Sequence, residues 1–185
     1  SSGGYDLDRF LQHSLTTAAI ARLLARSKGV SENDLGDYFV ASLLHDIGQM
    51  VLGQYMPEEF QQVLAICDER DISISEAERE VFGADHAEIG AMLAESWQLP
   101  SQLISCIRHH HNLVDIDEAS MLDKTIFIAN QVSKVIGDDS SGLSLPEPLP
   151  EPLIEWLGMP LDEVADSLEG LDEEIGKCNI FIQNN

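Results

Sequence analysis

Apolar residues recur at three- and four-residue spacing along most of the chain up to residue 137, and that period is helical. From Leu7 to Arg26 the stripe is Leu7, Phe10, Leu11, Leu15, Ala18 and Ala21, with Gly29 placed to end the helix. A second helix is expected from Ser31 or Asn33 through Phe39-Val40-Ala41-Ser42-Leu43-Leu44 toward Gly48, running on as far as Tyr55. It is apolar on most sides and so central. Pro57 suits the first turn of a third helix carrying Phe60, Val63, Leu64 and Cys67. Ser73 or Ser75, with Glu76 or Glu78 as reciprocal partner, predicts a short fourth helix ending at Gly83. Asp85 caps a helix from His86 to Trp97, Pro100 opens another reaching the run His109-His110-His111, and residues 119–136 form one more.

The alternating prolines of segment 145–153 disfavour helix in the residues before them and predict an extended, polyproline-like spacer. A pair of short acidic helices follows, at about Leu153–Leu157 and Leu161–Leu171. No repeat and no strand pattern stands out. The expected fold class is all-α, a compact multi-helix bundle. It divides into a linker or expression remnant at 1–4, a helical domain over 5–140, a proline-rich spacer at 141–152 and C-terminal helices over 153–185, packing on or extending the domain.

Composition narrows the function. At 185 residues and 44% hydrophobic, the chain can bury a core without staples. Its formal charge of −23, with no Lys/Arg cluster, argues against direct nucleic-acid binding. No apolar run is long enough to span a bilayer, and the N-terminus lacks a secretory signal. Three scattered cysteines (Cys67, Cys106, Cys178) fit a reducing, cytoplasmic setting.

The chemistry-bearing residues are His13, the adjacent pair His45-Asp46, His86 and the histidine run. Imidazole and carboxylate together can ligate a transition ion, and an aspartate can bridge to a second. Each site falls on a different expected helix, so only a folded bundle could gather them. Taken singly, a histidine is more often a core or surface residue than a ligand, and the run could be a solvated helix end.

The surrounding strings are more specific. Leu43-Leu44-His45-Asp46-Ile47-Gly48 resembles the signature of the HD superfamily of metal-dependent phosphohydrolases, and Gln12-His13-Ser14 resembles its first histidine helix. Gly83-Ala84-Asp85-His86-Ala87-Glu88-Ile89-Gly90-Ala91 with Trp97-Gln98-Leu99-Pro100, followed by His109-His110, is similar to the HD-GYP phosphodiesterases and, more closely, to the HD-related output domain (HDOD) branch. The resemblance covers about residues 9 to 136. It implies a helical fold, a metal site formed by His13, His45, Asp46, His86, His109 and His110, and one or two divalent ions of iron, zinc, manganese or nickel. It also implies a place in bacterial signal transduction, with other signalling domains or proteins as partners. In the fuller domain a further helical segment precedes the His13 helix.

Three departures bear on catalysis. Where the superfamily's last ligand is an aspartate, this chain has Asn130, a neutral and poorer donor. The Gly-Tyr-Pro loop is absent. An acidic residue one turn before the first histidine is replaced by Arg9. The first expectation is therefore a regulatory output domain that binds metal and acts through protein contacts. The alternative is a metal-dependent phosphohydrolase acting on a nucleotide or other phosphoester, with Asp46 and His86 as the first catalytic candidates.

Overall fold

The computed structural model describes residues 6–113, 115–137 and 146–183. These residues form eleven helices and no strand: α1 (Leu7–Ser27), α2 (Leu35–Leu44), α3 (Ile47–Tyr55), α4 (Pro57–Arg70), α5 (Ile74–Phe82), α6 (His86–Ser96), α7 (Ser101–His109), α8 (Met121–Ile136), α9 (Glu151–Leu157), α10 (Leu161–Ser167) and α11 (Leu171–Gln183). The chain is all-α, as its periodicity predicts.

Local chemistry explains most of the boundaries. Ser73, Asp85 and Ser120 each accept from the backbone three residues on, and Glu76, Glu88 and Asp123 return the bond, so α5, α6 and α8 all start on capping boxes. Of the two serines and two glutamates considered for α5, the structure selects Ser73 and Glu76; Glu78 points into the interior and is fully buried.

The main core joins Ile20 and Leu24 of α1, Tyr38 and Ala41 of α2, Ile126, Ile128 and Val132 of α8, and Leu153, Leu157 and Val164 of α9 and α10. The α4–α5 hairpin has a separate small core, built from Phe60, Val63, Ile74 and Ala77 against Leu52 of α3. Helix α11 closes over α1 through Cys178 against Leu15 and Ala19, and Arg22 of α1 pairs with the buried Glu174 at 2.6 Å.

Three boundaries differ from the sequence reading. The helix expected to run unbroken from about 31 to 55 is two helices, α2 and α3, separated at His45-Asp46. Asp46 leaves helical geometry (φ −100°, ψ 16°), a change that hydrophobic periodicity cannot register because apolar residues continue on both sides. The proline segment is no free spacer where it is described. The backbone N–H of Glu147 donates to Gln131 at 2.7 Å, Leu149 packs on the main core, and α9 already begins at Glu151; residues 141–145 lie outside the described residues. At the C-terminus, the stretch expected as one helix over Leu161–Leu171 stops at Ser167, and Gly170 at φ 77° turns the chain into a third helix, α11, that the pattern did not suggest. The 1–4 segment, expected as a linker, lies outside the described residues.

Candidate metal centre

Four separate segments deliver side chains to one point. His13 comes from the middle of α1, His45 and Asp46 from the bend between α2 and α3, His86 from the first turn of α6, and His110 and His111 from the end of α7. The bend matters most, because leaving the helix at Asp46 lets two adjacent residues both aim inward.

The Asp46 carboxylate is the hub. Its Oδ2 lies 3.1 Å from His45 Nε2 and 3.5 Å from His13 Nε2. Its Oδ1 lies 2.9 Å from His110 Nε2 and 3.4 Å from His86 Nε2. The rings also meet one another, His13 and His45 at 3.3 Å and His86 and His111 at 2.7 Å, Nε2 to Nε2 in both cases. Asp46, His45, His86 and His110 are buried, and His13 is partly exposed.

The other nitrogen of each ring decides what the inward one can be. Carbonyl oxygens only accept, so His45 Nδ1 donates to Ser42 (2.6 Å) and His110 Nδ1 donates to Ile107 (2.7 Å). The Ser133 hydroxyl spends its proton on the Asn130 carbonyl and therefore accepts from His13 Nδ1 at 3.3 Å. His86 Nδ1 donates to the Glu78 carboxylate at 2.5 Å. With Nδ1 protonated, a neutral ring presents a bare lone pair at Nε2. Thus Asp46 Oδ1 and His110 Nε2, only 2.9 Å apart, have no hydrogen-bond partner: two acceptors face each other.

The electrostatics agree. Burial opposes charge on Asp46, yet His45 and the other rings around it hold its carboxyl well below the usual range. Burial lowers His110 to about 4 and pushes His111 well below an ordinary imidazole, so both are neutral at pH 7. His86 alone goes the other way: burial would lower it, but Glu78 and Asp46 carry it up to about 10. A carboxylate facing the bare lone pair of neutral His110 suits a cation, which on binding would take the place of the His86 proton. Two overlapping groups, Asp46–His86–His110–His111 and His13–His45–Asp46, each have donor atoms within 4.8 Å of one another, a buried cluster able to hold a metal.

Of the residues nominated from sequence, the fold brings together His13, His45, Asp46, His86 and His110. It does not bring in His109. That ring lies beside the Ser105 hydroxyl at 3.4 Å, still within α7, and the next residue in the run, His111, takes the inward place. Three consecutive histidines carry no register of their own; α7 ends at His109, and the turn after it aims His110 and His111 at Asp46. The two rings of the run that lie within reach of Asp46 and His86 are those of His110 and His111. Sequence reasoning also missed Glu78, whose spacing from Ser75 made it look like a cap. Asn130 is fully buried, with both amide atoms unpartnered, one turn from the serine that contacts His13.

A cavity of about 1060 Å³ opens onto His13, Asp46, His86 and His111, and its wall includes Arg9 and Lys134. No helix among the described residues is long and apolar enough to cross a membrane.

An all-α bundle with this His/Asp hub defines an HD-type domain. The family model of the HDOD domain matches residues 1–113, and the chain belongs to that family. An uncharacterised protein of Treponema pallidum (strain Nichols) is 31% identical over 134 residues, 72% of this chain and 26% of that protein. Two solved structures superpose over 96% of the chain. One is an HDOD domain protein of unknown function from Geobacter sulfurreducens, with TM-score 0.71, 24% identity and 64% of that chain covered. The other is a candidate phosphohydrolase from Shewanella amazonensis SB2B, with TM-score 0.68, 26% identity and 66% of that chain covered. The chain thus spans about a quarter of the length of its curated relative and just under two thirds of the Geobacter protein's.

Proposed function

We propose that the chain is a metal-holding regulatory domain of a bacterial signalling protein, in which an ion at Asp46 ties together α1, the α2–α3 bend, α6 and α7. The observation that carries this reading is the set of inward Nε2 atoms converging on Asp46. His13 and His45 together with Asp46 would hold one ion, and His86, His110 and His111 together with Asp46 would hold another, so one ion or two fit the donor set. Imidazole-rich donors suit iron, zinc, manganese or nickel better than calcium or magnesium, which prefer oxygen. Such an ion supplies positive charge and Lewis acidity to the floor of the cavity.

A regulatory role is favoured over turnover by the neutral Asn130 and by Arg9 on the cavity wall, where a second cation is unwelcome. Because the donors come from four segments, ion binding and the relative placement of those helices are thermodynamically linked. Other signalling domains or proteins are the expected readers of that placement.

The test is retention. After chelation, dialysis and reloading with zinc, manganese, iron or nickel, the wild-type chain should keep one or two ions. At an ion concentration about 100 times Kd, the linkage is worth about 2.7 kcal/mol. For a chain of this size that is a rise of about 5–10 °C in melting temperature. Asp46→Ala should lose both ion and rise; a wild-type chain that keeps no ion ends the reading.

The cavity, with Lys134 on its wall, favours one alternative: hydrolysis of a phosphoester whose anionic group Lys134 would hold. Metal-dependent turnover that disappears in Asp46→Ala would establish it in place of the regulatory role.

A further inference from the structure

Glu78 has no part in the motifs that led to the centre, yet it is a fully buried carboxylate, eight residues before His86 in sequence and hydrogen-bonded to it. A single oxygen, Oε2, accepts both the backbone N–H of His86 at 2.8 Å and its ring Nδ1–H at 2.5 Å. The other oxygen, Oε1, has no hydrogen-bond partner. A buried carboxylate is costly unless its surroundings compensate, and here both compensating donors come from one residue.

The arrangement differs from those of the other rings. His45 and His110 donate Nδ1 to carbonyls of their own helices, three residues back, so their orientation is set within one element. His86 stands in the first turn of α6 and has no preceding turn to bond to. Its anchor comes from α5 across the Gly83 turn, and it is charged.

We propose that Glu78 is a positioning residue for the metal centre: its carboxylate fixes the ring and tautomer of His86 so that Nε2 faces Asp46 and His111, and its charge strengthens that nitrogen as a donor to a divalent cation. The inference rests on the metal-holding reading above. A carboxylate behind a ligating imidazole raises its basicity and orients it, and removing such a partner commonly costs 10–100-fold in metal affinity. Since α5 packs on α4 around its own small core, the seat of the α4–α5 hairpin then sets the strength of one ligand.

The experiment is a Co²⁺ competition titration against a chromophoric chelator on the full chain, wild type beside Glu78→Ala, Glu78→Gln and His86→Ala, with circular dichroism to confirm folding. Glu78→Ala should bind Co²⁺ about 100-fold more weakly. Glu78→Gln, which keeps an acceptor but no charge, should bind about 10-fold more weakly. Both should show an altered visible Co²⁺ spectrum at saturation, which a purely structural role would leave unmoved. Wild-type Co²⁺ affinity and spectrum in Glu78→Gln, or in a folded Glu78→Ala, overturn the assignment while leaving the metal centre standing. Equal Co²⁺ binding by wild type and His86→Ala overturns the assignment alone; if wild type binds no Co²⁺, the metal reading itself falls and takes this inference with it.

Discussion

Gly48 and His86 meet backbone to backbone. A Cβ placed on residue 48 would come within 2.0 Å of the His86 carbonyl oxygen and 2.8 Å of the Gly90 nitrogen. Gly90 returns the contact from α6, where a Cβ would lie 3.2 Å from the Gly48 nitrogen and 2.9 Å from an Ile107 methyl. Helices α3 and α6 therefore meet with their backbones in contact, two residues after Asp46 and at His86 itself. This is the physical reason for glycine after His45-Asp46-Ile47: only hydrogen at that position lets the His86 ring reach the carboxylate.

Gly48→Ala should be severely disruptive, because the atom it strikes is backbone and no rotamer change relieves the overlap. Overpacking of this kind costs about 1–3 kcal/mol and occasionally more. We expect the upper end in urea unfolding, together with loss of ion binding. Stability within about 0.5 kcal/mol of wild type would mean that α3 and α6 are not held this close.

The metal-free protein should be most stable near neutral to slightly acid pH. His86, raised to about 10 in the folded state, contributes stability that is complete below its unfolded value and disappears as pH rises through about 10. His110, lowered to about 4, acts oppositely: between the ordinary imidazole range and about 4 the unfolded chain binds the extra proton, so stability falls as pH falls. His111, also depressed, adds to that acid loss, and Asp46 extends it below the ordinary carboxylate range. Thermal melts in chelator across pH 4–10 should trace a dome. A midpoint still rising from pH 8 to 10 would contradict the role assigned to His86.

His109 and His111 should behave differently despite their proximity. His111→Ala removes a ring 2.7 Å from His86 Nε2 and should weaken ion binding about tenfold or more, the size of effect expected for a ligand or its close partner. His109→Ala removes a ring bonded only weakly to Ser105 and should leave ion affinity within about twofold. Isothermal titration with Zn²⁺ separates them, and the reverse ranking would restore His109-His110 as the site pair.

Asn130→Asp probes the departure from the superfamily pattern. The amide is buried with neither atom partnered, so a carboxylate there would be costly without a cation and useful beside one. We expect a lower melting temperature than wild type in chelator and a gain of about tenfold or more in ion affinity, a difference of about 1.4 kcal/mol or more. Equal ion affinity in the two proteins would place residue 130 outside the reach of any bound ion.

Helix content, the apolar stripe of α1, the capping box of α5 and the Asp85 cap of α6 were legible in the chain itself, because each depends on residues within a few positions of one another. So were His13, His45, Asp46, His86 and His110 as candidates, through the strings around them. What local pattern could not carry was direction. The break at Asp46, the choice of His111 over His109 and the inward turn of Glu78 all depend on where a helix stops relative to a neighbour distant in sequence. Contacts such as Gly48 with His86, or Ser133 with His13, exist only once α3 lies on α6 and α8 on α1. Periodicity reports which face of a helix is apolar; the packing of one backbone against another decides which polar atoms that face is forced to share.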